Sequence, residues 1–546
     1  MRKIIFAALL VCSLSMWARM PAQLEDLNRS ITLQSQQYHE ENLFATPRVT
    51  TQYEVGDSRS FWRWNLSVMP PTWIQETGTC KAVGEHCYVF VADSQWNLHM
   101  DQADVDAVLV YLEEETFAST QYGAIEMDET IFGPVPDELD NDPKVIIFYS
   151  ALGSFNGTSF DGYFSSYNQV TEQQAQQMNP SGHSNECEMI YMTCHPLNPT
   201  EPIRISVLSH ELQHMIHWGG DINEDTWVNE GCSELAMISF GMPDPITVFP
   251  NQSDNSLNSW NQQWADYVKV QLFFGYLAEK YAVPGDSLMK DIVFEPQNGI
   301  AGIQTQLVAN NSPKDFAEIF VDWTVTNYLN DLQIADGLYG YETMDVPQFL
   351  ATGNHNSFPA VGSGSVKAWA ADYIRCYPGD SELDFYVTAS SPITGTLIYK
   401  VSDTELPKVE IFPITASGEV VTTNAPAYQQ VVLVLSNDSD VAVNYTYDVE
   451  ISVSVPQEPQ VEAQRLSIYP NPCSLASGEV LFALPQGVQR GTVTLYNVKG
   501  QQVLKQGLHP EQKNQTMPLT DVGSGIYFLQ VQSGEKSYQT KLILTQ

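Results

Sequence analysis

At 546 residues the chain is too long for one ordinary domain, and roughly two to four are expected. Acidic side chains outnumber basic ones by 65 to 25, a formal net charge of −40, which argues against nucleic acid and anionic membrane surfaces as partners. With 11% aromatic residues the chain can build large cores, and disorder is not its default state.

Residues 1–22 read as a secretory signal peptide. Arg2 and Lys3 form its basic start, Ile4 to Leu14 its apolar run, and Ser15, Ala18 and Ala22 offer small residues for cleavage. No later apolar run approaches the ~20 residues of a membrane span, so no transmembrane anchor is expected. Export favours disulfides, and Cys80–Cys87 and Cys187–Cys194 are the expected local bridges. Residues 23–50 are polar and Gln-rich, an extended N-terminal arm or short pro-segment. No cysteine lies in it, which excludes a cysteine switch as a latency device.

Residues 51–360 form the first large domain. Alternation from Tyr53 to about Val91 predicts strands, and Val105, Val108, Leu109 and Leu112 predict a helix within Asp101–Phe117. Lys144–Tyr149, Gly162–Phe164 and Glu188–Met192 read as further strands, giving a mixed sheet. Asp137, Asp140 and Asp142 crowd one loop, which fits either a Ca²⁺ site or an ordinary solvated acidic turn.

His210-Glu211-Leu212-Gln213-His214 follows. Residues four apart share a helix face, so His210 and His214 can present two imidazoles to one metal ion, with Glu211 beside a metal-bound water. A catalytic zinc needs three protein ligands and an open position for water, whose pKa it lowers towards about 7. Glu211 would accept the water's proton and hand it to the leaving amine. Trp218-Gly219-Gly220 is the expected stop, with a left-handed glycine cap. Asn223, Glu224, Asp225 and Thr226 are the expected acidic, cap-rich start of a second helix that Gly241 ends. That helix carries Glu230 and Glu234, again four apart, and geometry alone allows either as the third ligand. Cys232 between them reads as a small buried filler. His217 is expected behind the ligands or at the surface. Residues from about Ser256 to Leu350 are mostly helical, with Tyr267, Val270, Phe273, Phe274 and Leu277 as an apolar stripe.

Residues 361–453 read as an accessory β-sandwich and 454–464, with Pro456 and Pro459, as a linker. Residues 465–546 carry Leu466-Ser467-Ile468-Tyr469-Pro470-Asn471-Pro472, Val493–Gly500, Gly525–Val531 and Lys541–Leu544, a small β-domain.

Two resemblances add to this reading. His-Glu-x-x-His followed by Asn229-Glu230 on a second helix resembles the gluzincin metallopeptidases, of thermolysin-like or hyicolysin-like bacterial kind. The resemblance implies Zn²⁺ held by His210, His214 and Glu230. It further implies Glu234 orienting the His210 ring and an oxyanion-stabilising residue on the helical subdomain, for which Tyr267 is the candidate. The implied fold is an α+β zincin catalytic domain, a mixed sheet plus a helical lower subdomain, here followed by two all-β sandwich domains. Residues 465–546 resemble the C-terminal sorting domain of type IX secretion substrates. That implies export through the periplasm of a two-membraned bacterium, type IX machinery as partner, and a secreted or cell-surface product. The expected activity is a secreted zinc endopeptidase acting on extracellular protein or peptide substrates. The alternatives are a surface adhesion or binding protein with a non-catalytic zinc site, and a metallohydrolase directed at glycoproteins.

Overall fold

The computed structural model describes residues 22–43, 52–137, 139–155, 158–282, 287–415, 419–422, 427–452, 466–485, 488, 490–509, 512, 514–534 and 536–546. The signal peptide, except for Ala22, and the 454–464 linker lie outside the described residues. The chain divides into two compact units, Met1–Ser452 and Val453–Gln546.

The first unit opens with helix α1 (Ala22–Leu43), then strands β1 (Ser58–Asn65), β2 (Thr72–Val83) and β3 (Cys87–Ala92). Helices α2 (Gln102–Glu113) and α3 (Ala124–Phe132) lead to β4 (Val145–Ser150), the short pair β5 (Ser154–Phe155) and β6 (Thr158–Ser159), β7 (Gly162–Phe164), α4 (Glu172–Met178) and β8 (Met189–Thr193). The main sheet has the order β1-β2-β3-β4-β8-β7. Its centre, β3-β4-β8, is parallel, and β7 runs antiparallel to β8 at one edge. Parallel strands covered on both faces must be apolar throughout. Every residue of β3, β4 and β8 is accordingly buried. Along β4, Val145, Ile147 and Tyr149 enter one core with the helices α2 and α3, while Ile146 and Phe148 enter a second.

Helix α1 corrects one expectation. Residues 22–43 are helical, not extended, and the helix packs into the second core through Ile31 and Tyr38. Its buried stripe is Ile31, Ser35, Tyr38 and Asn42, at helical spacing but half polar. A hydrophobicity pattern cannot show such a stripe.

Helices α5 (Pro202–Gly220), α6 (Thr226–Phe240), α7 (Trp264–Tyr281), α8 (Leu288–Val293), α9 (Gly299–Ala309) and α10 (Phe316–Leu329) follow. The apolar stripe of α7 is buried as its spacing predicts. A β-sandwich completes the unit. Its strands are β9 (Gly353–His355), β10 (Ala360–Val366), β11 (Ala370–Cys376), β12 (Leu383–Ala389), β13 (Ile393–Lys400), β14 (Lys408–Ile414), β15 (Glu419–Thr422), β16 (Tyr428–Asn437) and β17 (Val443–Ile451). They form the sheets β10-β17-β12-β15 and β14-β13-β16-β11-β9. The sandwich is no loose appendage. Trp369, Tyr373, Val432 and Val434 share the helices' core, Tyr373 Oη donates to the Thr324 carbonyl (2.7 Å), and Arg375 Nε donates to Tyr328 Oη (2.8 Å).

The second unit is all-β. It contains β18 (Ser467–Ile468), β19 (Cys473–Ser474), β20 (Glu479–Ala483), β21 (Thr492–Asn497), β22 (Gln502–Gly507), β23 (Asn514–Pro518), β24 (Gly525–Ser533) and β25 (Lys536–Thr545). They make the sheets β18-β20-β23 and β19-β25-β24-β21-β22 around Val480, Phe482, Leu495, Val531 and Leu542.

The expected disulfides do not form; all seven described cysteines are free, buried thiols. In the β2–β3 hairpin Cys80 lies opposite Phe90, not opposite Cys87. Cys187 and Cys194 stand at the two ends of β8, roughly 23 Å of extended chain apart at about 3.3 Å per residue. A bridge needs Cα atoms within about 7 Å.

Candidate metal centre

Helix α5 starts on Pro202, whose fixed φ suits the first helical position. It runs through both glycines to a cap at Asp221 that is not left-handed, which corrects the expected glycine stop. Gly220 is there for packing: a Cβ on it would lie 2.5 Å from the Val293 carbonyl oxygen of α8. Gly231 on α6 has the same cause, since a Cβ would meet the Phe274 ring of α7 at 2.2 Å. Close approach of α7 thus fixes where α6 can hold Glu230. Gly241 does end α6 in the left-handed conformation, with φ +94°.

The acidic start of α6 also differs from expectation. Asp225 makes no side-chain cap. Glu224 instead accepts from the Gly299 amide (2.8 Å) at the start of α9, and Asn298 Nδ2 donates to Asn223 Oδ1 (2.6 Å). Burial pushes the Glu224 carboxyl up to about 7.

The two helices bring His210, His214 and Glu230 together, with potential ligand atoms all within 4.8 Å of one another. The Nε2 atoms of the histidines are 3.1 Å apart, and Glu230 Oε2 lies 3.5 Å from His210 Nε2 and 3.9 Å from His214 Nε2. Ligand atoms bound tetrahedrally at about 2.0–2.1 Å stand about 3.3 Å apart. Glu230 Oε2 is buried and no hydrogen-bond donor reaches it. Spacing, donor chemistry and this orphaned oxygen all fit a zinc ion. Among the described residues no fourth His, Cys, Asp or Glu joins the trio.

Glu234 is fully buried, with Oε1 3.5 Å from His210 Nδ1, on the side of the ring away from the trio. Glu211 is buried, and its Oε2 accepts from the Phe164 amide of β7 (2.8 Å), which fixes the carboxylate at the sheet edge. Cys232 is a buried thiol outside the trio. His217 is fully buried, with burial and the neighbouring His214 pushing it down to about 3.

Ser233 escaped the sequence analysis. Its Oγ lies 3.0 Å from His214 Nδ1 and donates to Gln213 Oε1 (2.5 Å), while Gln213 Nε2 lies 3.3 Å from His217 Nδ1. With the hydroxyl committed to Gln213, His214 Nδ1 must be the donor to Ser233, which leaves Nε2 free of hydrogen and turned to the trio. A serine one residue before Glu234 carries no signal of this kind until α5 and α6 are seen face to face.

Beside the trio lies a cavity of about 320 Å³ lined by His214, Glu230, Phe164 and Trp260, and also by Glu25, Asn28 and Thr32 of α1. Tyr267 does not line this cavity but touches it through Glu25. Its hydroxyl donates to Glu25 Oε2 (3.4 Å), and Trp260 Nε1 donates to Glu25 Oε1. Burial, with Glu230 as the strongest repelling charge, lifts the Glu25 carboxyl to about 8. A buried Lys269–Asp266 ion pair (2.8 Å) anchors the loop carrying Trp260, through the Asn261 amide on Asp266 (2.8 Å) and Lys269 on the Ser259 carbonyl (2.5 Å).

Of the expected calcium ligands, Asp142 turns elsewhere, accepting from Tyr88 Oη (2.8 Å) and the Lys144 amide (3.3 Å). Asp137 and Asp140 are joined instead by Glu188.

Comparison with known proteins bears on the second unit. Residues 467–545 match the family described as Secretion system C-terminal sorting domain. This β-unit is a type IX sorting domain. Such a domain implies handling by the type IX machinery and export, either to secretion or to attachment at the cell surface. No helix among the described residues is long and apolar enough to cross a membrane. No curated protein matches the chain. Among solved structures, a de novo designed double-stranded β-helix is 14% identical over 17% of this chain and 99% of its own, with a TM-score of 0.12. PliG of Salmonella Typhimurium, a periplasmic inhibitor of g-type lysozyme, is 16% identical over 18% and 99%, with a TM-score of 0.14. A β-glucuronidase from Ruminococcus gnavus is 9% identical over 32% of this chain and 36% of its own, with a TM-score of 0.17. At these scores none informs the fold or the activity of the first unit.

Proposed function

We propose that the protein is a secreted zinc-dependent endopeptidase of the gluzincin kind, with a zincin catalytic domain in its first unit. The observation that carries the reading is the trio of His210, His214 and Glu230 at ligating spacing, with Glu211 beside it and no fourth ligand among the described residues. A structural zinc is normally closed by four protein ligands, whereas three leave room for a reacting group. A zinc ion held there would supply Lewis acidity and a more acidic water. Glu211, held through one oxygen by the Phe164 amide, would take the proton of the attacking water and return it to the leaving amine. Tyr267 would donate to the carbonyl oxygen as it gains charge. An extended peptide would lie along the β7 edge by strand addition. The sorting domain supports extracellular protein as the substrate class.

The test is zinc content and casein cleavage for the exported protein, wild type and Glu211→Gln. Both should retain zinc, and cleavage should fall by about 10²–10⁴ or more in the variant. Absence of zinc from the wild type would sink the reading.

A further inference from the structure

We propose that Asp137, Asp140 and Glu188 form a second cation site, for a hard divalent ion such as calcium, that ties together the N-terminal ends of β4 and β8. The three carboxylates offer oxygens all within 4.8 Å of one another. Asp137 and Asp140 come from the loop before β4, and Glu188 immediately precedes β8, the parallel neighbour of β4. Glu188 is 2% exposed, and no donor reaches either of its carboxylate oxygens. Arg59 is the cation in electrostatic range of Asp140, yet its guanidinium is spent on Tyr53 Oη (2.8 Å) and the Asn185 carbonyl. A buried carboxylate facing two others needs a counter-charge or a shared proton. An all-oxygen anionic donor set selects calcium over zinc. The nearby Tyr88, which donates to Asp142 (2.8 Å), makes the site readable by lanthanide luminescence.

Zinc-loaded full-length protein is titrated with terbium, which is then displaced by calcium; bound calcium is counted after dialysis. The expected result is tyrosine-sensitised emission, reversed by calcium, with about one calcium per chain. Emission should be lost in Glu188→Gln and weakened at least tenfold in the exposed Asp137→Asn, with zinc content unchanged in both. No emission and no calcium in the wild type, or equal calcium in wild type and Asp137→Asn, overturns the site in favour of a shared proton. The wild-type titration decides the matter even if Glu188→Gln fails to fold.

A different observation carries a second inference, which rests on the peptidase reading. The structure assigns α1 to the substrate cleft as an intramolecular inhibitor. Glu25 sits on Tyr267 and Trp260 beside Glu230, where a substrate's charged oxygen would be received. Asn28 Nδ2 donates to the Phe164 carbonyl (3.2 Å), a group of the edge strand a peptide substrate would use. Further along, Thr32 bonds Ser166 (3.0 Å), Ser35 accepts from Trp218 Nε1 (2.8 Å), and His39 packs edge-on against Trp218. Ile31→Asp, which places a charge in the buried face of α1, should raise casein cleavage by the full-length chain at least tenfold. Added peptide 22–43 should suppress that gain. An unchanged rate in Ile31→Asp alongside a cleaving wild type, or a peptide without effect, overturns the inference. If neither chain cleaves casein, the peptidase reading fails separately. Binding of labelled peptide 22–43 to Ile31→Asp, followed by anisotropy, then decides whether the helix has a docking groove.

Discussion

The two carboxylate-bearing clusters of the first unit are built by opposite routes. The His210, His214 and Glu230 trio comes from two consecutive helices, and its spacing is written locally, four residues apart on one face. The Asp137, Asp140 and Glu188 cluster exists only because β4 and β8 pair in parallel and bring a loop beside a distant strand end. Neighbouring groups also differ. Each histidine of the trio has a partner on the side away from the ligands, Glu234 for His210 and Ser233 for His214, whereas Glu188 faces other carboxylates with no donor at all. Helix spacing therefore announces a candidate metal site, while sheet topology can hide one.

The sharpest way to break this contrast is at the trio. Glu230→Ala should abolish zinc binding and cleavage together. Glu234→Ala should keep the ion but weaken its affinity by about 10–100-fold, because it removes only the ring's orienting partner. A larger loss in Glu234→Ala than in Glu230→Ala, read by zinc titration against a competing chelator, would reverse the assignment of ligand and support.

A smaller effect is expected at Ser233. Ser233→Ala removes the acceptor of His214 Nδ1, and zinc affinity should fall by about tenfold with the fold intact by circular dichroism. An unchanged affinity would remove Ser233 from the support of His214.

The mildest test concerns a buried carboxylate that does have a donor. Asp372 in β11 accepts from Tyr445 Oη (2.7 Å), yet burial still lifts it to about 6 from an ordinary 3.8. The folded state then holds the proton more tightly than the unfolded one, so stability present below about pH 4 is lost as pH rises through about 6. Asp372→Asn should flatten that loss by about 1–3 kcal/mol between pH 4 and 6, read from denaturant midpoints. An identical slope in the variant would remove Asp372 from the account.

What the sequence made legible follows the same division. The strands around Val89, Ile147 and Tyr191, the helix pair that carries His210, His214 and Glu230, and the β-character of both sandwiches all rest on short-range periodicity, whereas the choice of Glu230 over Glu234 rests on resemblance. Three features rest on something else. The buried face of α1 alternates Ile31 and Tyr38 with Ser35 and Asn42, so no apolar pattern marks it. Glu188 reads as the polar start of an apolar strand, and only strand order reveals its company. The cysteine pairs match a hairpin in spacing but not in register, and register is settled by which side chains the two cores require.

The seven unbridged thiols carry a consequence for the protein's journey. Burial raises Cys80 to about 11 and Cys187, Cys194 and Cys376 to about 12, so in the native molecule these four offer almost no thiolate to an oxidant. Before folding, the same sulfurs are ordinary reactive groups. Passage through an oxidising compartment thus becomes a race between chain collapse and thiol chemistry. The chain that folds first escapes scrambling without the help of any disulfide of its own.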